Sequence, residues 1–273
     1  MLLAILIVLA LPPATSAQTV FTVQSGEHLD TWCARLEARR VLRCANLDSL
    51  AARPYKNLLP PIAGRPPRSR FEGLFAPGRY TLDQEHPAAA AVLEHLLADA
   101  DERLALAPIH GLDAHQQRVL ASLVHKEAAR PEEYLRVAAV FLNRLRRDDY
   151  LGSCPALEYA LGYHRPFLLF KDIDKAADSP YNLYRRRGLP PTPICFFDDQ
   201  ALQAVRQPAP DPTLYFFVRD WAADSLVFAD AGSYDLHRKN AQRAKENYRR
   251  AYGDIRRLFP GVFYRNPLPH HID

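Results

Sequence analysis

One acid in this chain sits where acids are costly to ionise. In the stretch VLASLVHKEAAR (119–130), Glu127 follows Val124 by three residues, Leu123 by four and Leu120 by seven. Helical spacing places all four on one apolar stripe. A carboxyl group on such a stripe should have a raised pKa. That is what a general acid needs at neutral pH. His125 and Lys126 point off the stripe and are expected in solvent. The plain alternative for Glu127 is a helix-end glutamate that snorkels or pairs with an arginine.

Other chemistries have no matching pattern. The chain shows no phosphate loop, no GxSxG and no HExxH. It has four cysteines but no CxxC and no Cys/His spacing of a zinc site. Acid/base chemistry without metal or cofactor is the reading left. The cysteines raise the question of disulfides, and the local pair Cys33–Cys44 is the favoured one among three possible pairings. Four buried thiols are the alternative.

Several elements must position the acid. The N-terminal LLAILIVLAL is too short to span a bilayer, which takes about 20 apolar residues. With ATSA following, residues 1–17 read as a signal peptide or a short membrane anchor, and either implies export. The protein is expected in the periplasm or on the outer face of the cytoplasmic membrane. Residues 18–55 form a small module: a strand at FTVQ, a turn at SGEH, and a helix over LDTWCARLEARRVL. A further helix from NLDSLAAR is capped by Asn46 or Asp48. Residues 56–69 are a Pro/Arg-rich linker.

A larger domain covers 70–265, before a loose tail at 266–273. FEGLFAPGRYTL predicts short strands around a turn. Helices are expected over 88–106, 113–129, 132–147 and 234–258, and a hairpin from LYFFVRD and SLVFAD. The region 152–197 reads as irregular. The fold class is α+β: a small module followed by a mixed helix/strand domain. The formal net charge of +4 suits an acidic polymer without demanding nucleic acid, and no aromatic-basic RNA motif appears.

Five stretches together are similar to the YceG-like endolytic murein transglycosylases: FEGLFAPGRY (71–80), LASLVHKEA (120–128), VAAVFLNRL (137–145), SPYNLYRRRGLPPTPIC (179–195) and TLYFFVRD (213–220). The fourth is the most specific. The module containing VQSGEHL resembles the LysM-like subdomain that precedes the catalytic part in that family. The resemblance implies cleavage of the MurNAc–GlcNAc bond inside peptidoglycan strands, leaving 1,6-anhydro-MurNAc ends. It implies no cofactor, peptidoglycan as partner, cell-wall synthesis enzymes as further partners, and association with the inner membrane.

The resemblance makes Glu127 the catalytic acid. Where the family motif often has a second Glu, this chain has His125. Asn182, flanked by Tyr181 and Tyr184, would line the glycan groove, with core packing the alternative for the tyrosines. Asn143 would bond Glu127 or substrate, or brace a loop. Glu72 is grouped with the substrate-contacting residues, in an orienting or structural role. Gly188 and Pro190–Pro191 would shape their loop. Arg185, Arg186 and Arg187 would meet peptide-stem carboxylates or form a solvated face. The segment LGSCPALEYA replaces the family's LQSDPTVxYG, with Gly152 and Cys154 standing for Gln and Asp. A Cys154–Cys195 disulfide could replace the lost bracing. The alternative function is a catalytically impaired peptidoglycan-binding or scaffold protein of the same fold.

Overall fold

The computed structural model describes residues 18–53, 58, 61, 65–98, 105–164 and 167–253. The leader or anchor expected at 1–17 and the tail at 266–273 lie outside them. Among the described residues, no helix is long and apolar enough to cross a membrane.

The chain opens with β1 (Thr19–Val23), whose alternation turns Thr19, Phe21 and Val23 inward. α1 (Leu29–Ala38) buries Leu29, Trp32, Cys33 and Leu36, the 0, 3, 4, 7 stripe of an amphipathic helix. α2 (Cys44–Ala51) follows, and the expected Cys33–Cys44 disulfide ties the two helices. Neither expected cap serves α2, which begins after Arg43. Asp48 instead accepts from the Arg68 backbone and guanidinium.

A module ending at 55 does not close its own core. β1 pairs antiparallel with β2 (Gly78–Leu82), placing Phe21 opposite Tyr80 with the rings stacked at 5.6 Å. Phe71, Phe75 and Tyr80 fill the same core, as do Val92, Leu93 and Leu96 of α3 (Ala89–Ala98). The end of the Pro/Arg stretch is a 3-10 turn, Pro67–Phe71, packed on α2. Phe196, from far along the chain, completes the cluster against Trp32 and Phe75.

The second core is helical. α4 (Ala114–Glu127) starts at a capping box in which Asp113 and Gln116 bond each other's backbone. α5 (Tyr134–Arg146) packs beside it. The region expected to be irregular holds two short helices, α6 (Cys154–Leu161) and α7 (Phe170–Lys175). α8 (Asp199–Arg206), capped by Asp198, packs on both α4 and α5. The expected hairpin is present as β3 (Leu214–Asp220) with β4 (Ser225–Asp230). β3 contacts α5, and the long polar α9 (Tyr234–Tyr252) also lies on the hairpin. Cys154 and Cys195 are free thiols, so no disulfide braces the altered loops.

Candidate active site

Glu127 is the last residue of α4, and Val119, Leu120, Leu123 and Val124 beneath it are fully or almost fully buried. The helix stops there because Ala128 turns extended and Pro131 follows three residues on. The residue as a whole is half-buried. Burial is nevertheless the largest influence on its carboxyl, and with the charge of Glu158 it pushes the pKa up to about 7. A hydrogen bond from Ser153 and the charges of Arg144 and Arg219 restrain the rise.

Each restraining group is held by another element. Ser153 is fully buried and caps α6, accepting from the Ala156 amide at 3.3 Å. Arg144, on α5, donates to Leu151 O at 2.6 Å and Tyr215 O at 2.9 Å. Burial lowers its pKa, yet an arginine stays charged at any working pH. Arg219, on β3, donates to Ala128 O at 3.2 Å and pairs with Asp224 at 2.7 Å, its guanidinium lying over Trp221. The site therefore has one acid near neutrality and two fixed cations.

The altered segment lines the same place. Cys154 Sγ lies 2.9 Å from the Tyr184 hydroxyl. Burial, then the Glu127 charge, pushes the Cys154 thiol well up, so it stays neutral. Gly152 has φ +61, and a Cβ there would lie 3.6 Å from both Arg144 Nη1 and the Tyr184 ring. The contacts leave room for a Cβ, but at this φ any side chain would be strained and glycine is not.

Tyr184 is within electrostatic reach of Glu127, and the other expected residues are engaged in bonds of their own. The Asn143 amide donates to Asp211 O and Leu214 O, bracing the approach to β3. Asn182 is fully buried and donates to Ile173 O and Ala176 O. Tyr181 is buried, with its hydroxyl on Thr192 and its ring against Tyr159 at 4.9 Å. Glu72 is buried between the two cores, accepting from Leu29 N at 3.1 Å and the Tyr159 hydroxyl at 2.9 Å. Burial pushes its pKa up to about 8.

Arg185 and Arg187 pair with Asp174 and Asp148 at the surface. Gly188 has φ +77, consistent with a loop-shaping role. His125 and Lys126 correct an expectation: both are half-buried against the turn after β1, not in solvent. Ser153, Arg144 and Arg219 were not singled out from the sequence. A serine two residues before Pro155 is a helix-cap signature that would have found the first. Nothing local marks the two arginines.

Fold and site thus define a mixed helix/strand protein in which a raised carboxyl, Glu127, ends a helix beside Ser153, Arg144 and Arg219. The YceG-like family model matches residues 3–243, and the chain belongs to that family. The chain is 31% identical over 223 residues to an endolytic murein transglycosylase of Streptococcus pneumoniae R6, a match covering 78% of this chain and 40% of that one. To the endolytic murein transglycosylase of Bacillus subtilis 168 it is 32% identical over 137 residues, covering 50% of this chain and 35% of the other. The matches thus span 40% or less of the length of these relatives. A crystal structure of a yceG-like protein from Listeria monocytogenes shares the fold, with a TM-score of 0.67 at 24% identity over 81% of this chain and 75% of that one.

Proposed function

We propose that the protein is a lytic transglycosylase cleaving the MurNAc–GlcNAc bond within peptidoglycan strands. The observation that carries this is the Glu127 carboxyl at the end of α4, raised to about 7 and restrained by Ser153, Arg144 and Arg219. At that value the acid and the carboxylate are both well populated at neutral pH. The acid protonates the leaving glycosidic oxygen. The resulting carboxylate then takes the proton of the MurNAc C6 hydroxyl as that oxygen attacks C1. The product is a 1,6-anhydro end, and Glu127 regains its proton. Such a cycle needs neither water nor a second carboxylate nucleophile, unlike two-carboxylate glycosidases. The substrate's own N-acetyl group shields the charge developing at C1.

The LysM-like reading of residues 18–55 is supported by the strand–helix–helix order β1-α1-α2, to which β2 adds a paired strand. Residues 1–17, read as a signal peptide or a short membrane anchor, support a location in the periplasm or at the outer face of the cytoplasmic membrane, where wall-synthesis enzymes would be its neighbours. The test is digestion of isolated glycan strands followed by mass detection of the ends. Anhydro ends from wild type and none from Glu127→Gln are expected. Reducing ends would mean hydrolysis, and activity surviving in Glu127→Gln would remove this residue from its role.

A further inference from the structure

His125 precedes Glu127 by two residues and so leaves α4 on a different side. There it meets the N-terminal unit. Its Nε2 lies 3.2 Å from Ser25 Oγ. Its Nδ1 lies 2.7 Å from the Tyr134 hydroxyl and 3.3 Å from Asp198 Oδ2. The Tyr134 hydroxyl donates to that same Asp198 oxygen at 3.0 Å. With the phenol proton directed at Asp198, the imidazole carries its proton on Nδ1, and Nε2 accepts from Ser25. Asp198 is itself fixed as the cap of α8, accepting from Ala201 N at 2.8 Å. One imidazole therefore links α4, α5, the start of α8 and the turn after β1.

The turn is seated by more than this bond. Lys126 Nζ donates to Gly26 O at 3.2 Å. Gly26 N donates to Phe196 O at 2.6 Å, and Phe196 N returns a bond to Glu27 O at 2.9 Å. Gly26 has φ +78, and a Cβ there would lie 3.2 Å from His125 Nε2. A bare backbone is needed for this close approach.

We infer that the Ser25–Gly26 turn is a positioning part of the Glu127 site, acting through His125. Glu127 ends its helix, where the last carbonyls have no partners within the helix and the backbone frays. The residues on which the turn clamps, His125 and Lys126, are the two just before it. Misplacing a catalytic group by about 1 Å can cost on the order of 100-fold in rate. The N-terminal unit thus completes the catalytic body in addition to any glycan it binds. This inference rests on the proposed function for its kinetic arm only.

The full chain is tested as His125→Ala, His125→Gln and Ser25→Ala. Two readouts are taken: kcat and KM for release of anhydro ends, and amide hydrogen exchange over residues 124–128. Expected for His125→Ala is a fall in kcat of about tenfold or more with KM within about twofold, and faster exchange in that segment. His125→Gln, which keeps a donor and an acceptor, should recover part of kcat. Ser25→Ala removes one exposed hydroxyl, leaves the fold intact and should show the same changes in smaller degree. Unchanged exchange over 124–128 in both alanine variants would overturn the inference, as would unchanged kcat. If wild type releases no anhydro ends, the functional reading fails, while the exchange arm still decides the clamp.

Discussion

The Ser153 hydroxyl donates to the Glu127 carboxyl while its oxygen accepts the Ala156 amide, so one side chain both caps α6 and steadies the acid. The bond favours the ionised carboxylate and therefore holds the pKa down. Ser153→Ala should move the alkaline limb of the kcat profile to higher pH, because the acid keeps its proton longer. It should also cost about 1 kcal/mol of stability through the lost cap. Ser153→Thr should restore both. A limb that stays in place in Ser153→Ala would show that this hydroxyl does not govern the acid.

Glu127 should destabilise the fold above neutral pH. Its pKa is raised from 4.5 to about 7, chiefly by burial. Between those values the folded state holds a proton that the unfolded chain has released. Stability therefore falls as pH rises through that window, and the penalty is complete above it. Glu127→Gln removes the penalty. At pH 8 the variant should be more stable by about 1–3 kcal/mol, and at pH 4 the two should converge. Denaturant unfolding at both pH values measures this. A variant no more stable than wild type at pH 8 would mean that the carboxyl is solvated.

How far the sequence foretold this site depends on the range of the contacts involved. The stripe Leu120, Leu123, Val124, Glu127 follows one helix and was legible, as were α5 and the β3–β4 hairpin, whose patterns are local. Helices α6 and α7 were hidden because each is short and lies among prolines and tyrosines that read as loop. The pairing of β1 with β2 joins strands separated by the Pro/Arg stretch, which looked like a domain boundary. The amides of Asn143 and Asn182 carried the look of ligand contacts but hold backbone carbonyls instead. Local pattern cannot distinguish these uses. His125 was misjudged for a related reason: its partners Ser25 and Asp198 come from distant parts of the chain.

Glu72 gives a second titration, separate from the acid of the site. Burial raises its pKa from 4.5 to about 8, against the bonds from Leu29 N and Tyr159. The sign is as for Glu127: the folded state keeps the proton longer, and stability falls as pH rises from about 4.5 to 8. Glu72→Gln keeps polar atoms for both partners and should gain stability relative to wild type above pH 8. Glu72→Ala orphans a buried amide and a buried hydroxyl and should lose about 2–4 kcal/mol at pH 4, a deficit that shrinks as pH rises because the variant escapes the Glu72 ionisation penalty. Thermal unfolding across pH checks both. A Glu72→Ala variant as stable as wild type at pH 4 would show that the two partners find water instead.

The backbone at Gly73 joins the two cores under a tight steric limit. Its φ is +70, and a Cβ there would lie 2.4 Å from Pro193 Cβ and 2.7 Å from Pro193 Cγ. Neither atom can retreat, because the proline ring is part of the loop that delivers Ile194 to Ser122 and Phe196 to the N-terminal core. Gly73→Ala thus combines left-handed strain of about 1 kcal/mol with overpacking of about 1–3 kcal/mol. A fall in Tm on the order of 5–10 °C should result. Gly162 is the control: its φ is +72, but nothing lies within 4 Å of its Cβ position. Gly162→Ala should therefore show the backbone strain alone, about 1 kcal/mol. If both variants melt together, the Gly73–Pro193 approach contributes nothing, and the junction between the cores is looser than this packing requires.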